Sequence, residues 1–244
     1  MAGTAVLVVA GILTIKHAQA IRRTLRMRAL ARRMGWRFQA SPSLELVPER
    51  KRFGLFTVRM HQRMRNHLSG ALGEFQVAVF DLRYSTTSDN PAGSEQTVVH
   101  LHVPGLELPA FSLRPEQVFH RSGDSVGGSD IDLRKDPEFS QAYHLAGRDE
   151  EAIRELFDSR VRDVYRRNPG LSTDAAGSDL LFWRRGEIVA DTDVAVLVQA
   201  AVDVARLHGR AAYQITGRRN GNHTPHVAAR IASRKGAATY NDLF

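Results

Sequence analysis

No charged side chain stands between Met1 and Ile15, and from Lys16 to Arg37 there are eight basic residues and no acidic one. Ala5 to Ile15 reads AVLVVAGILTI, apolar on every helical face and not on one stripe. That is the pattern of a helix held in lipid or enclosed by protein. Fifteen helical residues reach about 22 Å at 1.5 Å each, less than a hydrocarbon core of roughly 30 Å. Continuing the helix to Ile21 closes the gap if Lys16 snorkels to the headgroups, with His17 and Gln19 near the boundary. A single transmembrane or anchor helix over residues 1–21 is therefore expected. A cleaved secretory signal is the rival reading, since Ala18-Gln19-Ala20 has a small-x-small outline. The lack of positive charge before the run and the arginines after it oppose that reading, and burial within protein is the third. The positive-inside rule puts the basic side in the cytoplasm. The expected address is the inner (plasma) membrane, single-pass, with a cytoplasmic globular domain.

Residues 22–37 continue as a basic juxtamembrane helix in which Met27, Leu30, Ala31 and Met34 fall at i, i+3, i+4 and i+7, with Arg23 intruding on the stripe. Lys16, Arg22, Arg23, Arg26 and Arg28 are placed at the membrane surface, where a basic side chain near anionic lipid contributes about 1 kcal/mol. Gly35 before Trp36-Arg37-Phe38 should end the helix.

The overall charge of +8 invites a nucleic-acid reading until it is divided along the chain. Residues 209–244 hold six basic side chains against Asp242, which leaves 20 basic against 25 acidic between 38 and 208. The folded part is mildly acidic, so nucleic acid is an unlikely partner and membrane contact is expected through the N-terminus. With no cysteine there is no disulfide, thiolate metal site or thiol nucleophile.

An α+β domain is expected over 38–208: an antiparallel meander followed by helices. Ser41-Pro42 and Val47-Pro48 read as linker. Runs 63–71 and 74–86 flank Leu72-Gly73 as a hairpin, and in the second run alternation gives a half-buried strand. Strands are expected at 95–103, 110–113 and 141–145, and a hairpin at 171–175 and 180–183. Asp149, Ser159 and Asp191 are the expected helix caps, and Gly209 the stop of a last helix carrying Val194, Leu197, Val198, Ala201, Val204 and His208 on one face. The segment 209–244 lacks a sustained period and reads as a basic disordered tail.

Catalytic readings fall one at a time. Gly123-Asp124-Ser125-Val126-Gly127-Gly128 has the outline of a serine-protease nucleophile motif, but Val126 stands where the oxyanion hole needs glycine. His100 and His102, two apart on a strand, share a face and would need a carboxylate such as Asp81 from a neighbouring strand to hold a metal. Asp124, Asp130 and Asp132 do not fit the calcium-loop spacing. Asp81 and Arg83 share a strand face and are expected to pair. Phosphate-loop, dinucleotide, HExxH and GxSxG motifs are absent, so no catalytic motif, metal or cofactor is predicted.

The order Arg65-Asn66-x-Leu68-Ser69-Gly70, Val79-Phe80-Asp81-x-Arg83-Tyr84, Gln96-Thr97-Val98, Phe111-x-Leu113-Arg114-Pro115-Glu116, Asp130-Ile131-Asp132, Pro137-Glu138-Phe139-Ser140 and Tyr143-x-Leu145-x-Gly147 resembles a group of uncharacterised bacterial membrane-anchored proteins. Those proteins similarly begin with an apolar helix, an Arg-rich segment and a Gly-Trp pair. The resemblance spans about residues 3 to 208 and implies the same architecture; it carries no functional residues across. Two function classes remain: a membrane-tethered interaction or scaffold module with an unidentified protein partner, and a ligand-binding or hydrolytic domain with a dispersed pocket drawn from Asp81, Arg83, His100 and His102.

Overall fold

The stripe of Met27, Leu30 and Ala31 is fully buried, each at 0% exposure, because one continuous helix α1 (Ala2–Arg33) lays its C-terminal half on a sheet. The two segments expected at 1–21 and 22–37 thus join in a single helix. The computed structural model describes residues 2–57, 61–85, 93–116 and 130–220, with side chains between 14 and 212 of these apart from Thr57. Gly35, at φ 66°, closes α1: Gly35 N donates to Arg32 O and Trp36 N to Ala31 O. This double bond pattern is a Schellman cap. It turns the chain back so that the Trp36 indole lies flat on Gly70, where an added Cβ would stand 2.2 Å from Cδ1.

Eight strands form one antiparallel sheet: β1 (Arg37–Gln39), β2 (His61–Leu72), β3 (Phe75–Ser85), β4 (Ser94–His102), β5 (Leu108–Pro115), β6 (Tyr143–Gly147), β7 (Leu171–Gly177) and β8 (Asp179–Arg184). The expected β2–β3 hairpin is present, with Gly73 at φ 62° as the first of two turn residues, where a tight hairpin needs positive φ. The simple meander is not. Strand order is β1-β2-β3-β4-β8-β7-β5-β6, so the late β7–β8 hairpin wedges between β4 and β5. Leu180 and Phe182 face one apolar layer and Leu181 and Trp183 the other, all four buried, which explains the wedge: a hairpin apolar on both faces needs an interior place in the sheet.

Both faces of the sheet are covered. On one lie α1 and the late helices: α3 (Pro137–Ala142), α4 (Glu150–Leu156), α5 (Ser159–Arg167) and α6 (Val194–Asn220). Val77 and Val79 face these helices, while Phe80 and Leu82 face a second apolar cluster with Val98, Leu181 and Trp183. That second cluster is roofed by residues 44–57, including Val47, Phe53 and the short α2 (Gly54–Thr57). The Ser41-to-Pro48 passage is therefore a cover and not a linker, and β3 is buried on both faces instead of half-buried. Leu55 N donates to Asp174 Oδ2 at 2.9 Å, tying the cover to a buried pair in which Arg114 reaches Asp174 at 2.6 Å and stacks 4.4 Å from Trp183.

Several local expectations shift. Asp149 caps α4 as expected, but α5 is capped by Asp158, one residue before Ser159, whose Oδ1 accepts from Val161 N. Pro137 at a helix start draws Gln141 and Ala142 into α3, so β6 begins at Tyr143. Asp191 pairs with Arg26 at 3.6 Å instead of capping α6, and the first helical carbonyl belongs to Asp193. The stop expected at Gly209 is missing: α6 runs on to Asn220. Gly209 lies buried within it. Residues 221–244, the rest of the expected tail, lie outside the described residues, as do 117–129 with the Gly123–Gly128 motif and Asp124. Asp130 spends its carboxylate on Leu145 N and His144.

Candidate functional site

Where α1 leaves the sheet, a crevice of about 700 Å³ opens between its middle turns and the β2–β3–β4 edge. Arg23, one turn before Met27, is the side chain that interrupts the apolar stripe, and it points inward. Its Nε and Nη2 donate to Asp81 Oδ2 and Oδ1 at 3.1 and 3.0 Å, and Nη2 also reaches Thr97. Side-chain exposures of 14% for Arg23 and 9% for Asp81 mark the pair as interior. Arg23 therefore leaves the expected membrane-surface group, because a carboxylate on β3 neutralises it. Lys16, Arg22, Arg26 and Arg28 remain exposed, Arg26 near Asp191 and Arg28 over the Phe38 ring.

Asp81 accepts two more bonds, from Asn66 Nδ2 and Thr97 Oγ1, both at 2.9 Å. Four donor bonds, two of them from the Arg23 guanidinium, leave this carboxylate little accepting capacity for anything else. Arg83 does not pair with Asp81; it faces Glu95 across the β3–β4 ladder at 3.8 Å. Both arginines thus have their carboxylates, and Lys16 and Arg65 add two cations to the crevice wall that pair with no carboxylate among the described residues.

Asn66 supplies the unusual geometry. It sits in a β-bulge between Arg65 and Leu68 with φ 51°, a left-handed conformation rare outside glycine. Its backbone N donates to Ala40 O, and the amide orientation is set by the bond to Asp81, which needs Nδ2 as donor. Oδ1 is left buried with no partner, on a side chain lining the crevice. Nothing in the local sequence marks this; the signal was only Asn in a strand, where its propensity is poor.

The two histidines lie on the opposite face. His100 follows Val98 in parity, not Thr97, so it projects away from Asp81. The carboxylate that meets the histidines is Asp179 of β8: its Oδ1 lies 2.8 Å from His100 Nε2 and 3.0 Å from His102 Nδ1. Burial works against a charged Asp179, but these two bonds outweigh it and hold the carboxyl below its ordinary value. Burial, with His100 and Arg37 nearby, pushes His67 down on the same face. No group of three or more metal-ligating side chains with suitable geometry occurs among the described residues. The four residues of the dispersed pocket are thus split in pairs by the thickness of the sheet.

No protein-family model matches the chain, and no curated protein matches it. A solved structure, the crystal structure of the mycobacterial trehalose monomycolate transport factor A, TtfA, shares the fold at a TM-score of 0.53 and 14% identity, covering 75% of this chain and 93% of that one.

Proposed function

We propose that this chain is a membrane-tethered interaction module, its globular domain presented to cytoplasmic partners at the base of a rigid helix. The supporting observation is where α1 parts from the fold. Every side chain from Thr14 to Gln19 is exposed, Ile15 at 59%, whereas Met27, Leu30 and Ala31 are fully buried. The helix has left its own domain before the sequence becomes wholly apolar. The sequence upstream of these exposed turns is the eleven-residue apolar run, whose chemistry suits lipid, and the arginines on the domain side orient it with that domain in the cytoplasm. Among the described residues no helix is long and apolar enough to cross a membrane, and the side chains of 2–13 lie outside them. Tethering therefore rests on the sequence of the run together with the geometry of its exit. TtfA is a transport factor, and a binding role of that general kind suits a domain whose one buried carboxylate in the crevice is saturated.

Cell fractionation with full-length protein and a form lacking residues 1–20, combined with protease added to intact cells, tests this. The full chain should pellet with membranes, the shortened one should not, and the domain should survive external protease. Full-length protein in the soluble fraction, or digestion from outside, overturns the proposal.

A further inference from the structure

The crevice beside α1 has the chemistry of a ligand site, and its composition says which kind. Among the described residues four cations line it (Lys16, Arg23, Arg65 and Arg83) against two carboxylates, Asp81 and Glu95. Because Arg23 and Arg83 already face those carboxylates, the surplus of two positive charges belongs to Lys16 and Arg65. A surplus of this kind at the mouth of a recess favours an anion. Deeper in, Asn66 Oδ1 is a buried acceptor with no donor, on a residue 4% exposed and held in a left-handed bulge. Leaving a buried acceptor unmade costs about 1–3 kcal/mol, so such an atom gains from any ligand that brings an O–H or N–H. Inorganic phosphate at neutral pH carries its O–H on the same group that the cations would hold, so a ligand that better reaches both the mouth and Asn66 Oδ1 must bring a hydroxyl beyond the phosphate itself.

We propose that the crevice binds a phosphorylated polyol, the phosphate held by Lys16 and Arg65 and a hydroxyl donating to Asn66 Oδ1. The volume admits a ring or short polyol beside the phosphate. The crevice mouth also fits a lipid source. Lys16 directly follows the apolar run, and Arg23 lies seven residues further, about 10 Å along the axis. The lipid source, though not the site itself, rests on the tethering proposed above.

Full-length protein in non-ionic detergent micelles would be titrated by NMR with inositol 1-phosphate, inositol and inorganic phosphate, then presented in nanodiscs of phosphatidylcholine with or without phosphatidylinositol. Inositol 1-phosphate should bind at least tenfold more tightly than either fragment. Arg65→Gln, at an exposed position, should weaken it about tenfold or more, the loss of one charge-assisted bond. Asn66→Gly keeps the left-handed backbone and should abolish the preference over inorganic phosphate. Equal binding of inositol 1-phosphate and inorganic phosphate, or an unchanged affinity in Arg65→Gln, overturns the site. Phosphatidylinositol-dependent shifts of crevice resonances in nanodiscs identify the lipid as source. Binding of the free ester with no such shifts supports the site, assigns it a soluble phosphopolyol and removes the lipid; absence of both with the protein still membrane-bound refutes the site and leaves tethering standing.

Discussion

His208 is the group whose titration should be most visible in the stability of this fold. It lies on α6 at 0% exposure, edge-on to Phe111 and Phe157 at 5.5 and 5.4 Å, with the Leu156 backbone beside the ring but no well-formed hydrogen bond to either ring nitrogen. Burial pushes its pKa from 6.5 down to about 4, against the opposing pull of the Leu156 backbone and the Asp158 charge. Because the folded value is the lower one, the unfolded chain binds more protons between these limits. Stability from the neutral ring is complete above pH 6.5 and is lost as pH falls toward 4. At 1.36 kcal/mol for each pKa unit, the loss is about 3 kcal/mol. Urea unfolding of wild type and His208→Leu at pH 7 and pH 4 checks this. The wild type should lose about 3 kcal/mol more than the variant over that interval. Leucine should be no worse than histidine at pH 7, since it fills the space without an unmet polar group. Parallel pH profiles for the two proteins, or an NMR titration of His208 near 6.5, would refute the reasoning.

Two further outcomes follow from the way α1 is docked. Arg23→Ala leaves the Asp81 side chain in the interior without its cation and should cost roughly 3 kcal/mol, read as a lowered urea midpoint and faster proteolysis within α1, while Arg23→Met with Asp81→Leu should recover most of it. Gly70→Val drives Cβ and its methyls into the Trp36 indole and should cost about 1–3 kcal/mol, with a red shift of tryptophan emission; a wild-type midpoint would mean that Trp36 is not seated there.

What the sequence displayed is what its local periods could carry. Met27, Leu30, Ala31 and Met34 announced a buried helix face, and Gly73 between two alternating runs announced a hairpin. Asp149 three residues before Ala152 was a cap in both readings. Arg23 misled because a cation in an apolar stripe is explained only by its anion, which lies 58 residues away on another strand. The same limit hid the histidines' partner: Asp179 comes opposite His102 only because β8 docks on β4 across 77 residues. Ser41 to Pro48 looked like a linker since a short single-turn helix carries no sustained period, yet Val47, with Phe53 just beyond it, roofs the second apolar cluster of the sheet. Arg37–Gln39 is three residues long, too short to alternate legibly, and is a strand because β2 offers it an edge.

The absence of any break in α1 has a mechanical consequence. A helix welded to the sheet by Met27, Leu30 and the Arg23–Asp81 clasp, and unbroken as far as Ala2, behaves as a lever with its fulcrum inside the domain. From Arg23 to Ala5 the arm is about 27 Å at 1.5 Å per residue. A rocking of about 10° at the fulcrum would carry the far end through roughly 5 Å, the rise of one helical turn. Whatever grips that end therefore sets the attitude of the sheet as well as its distance, and torque applied there arrives at the clasp that forms the crevice floor.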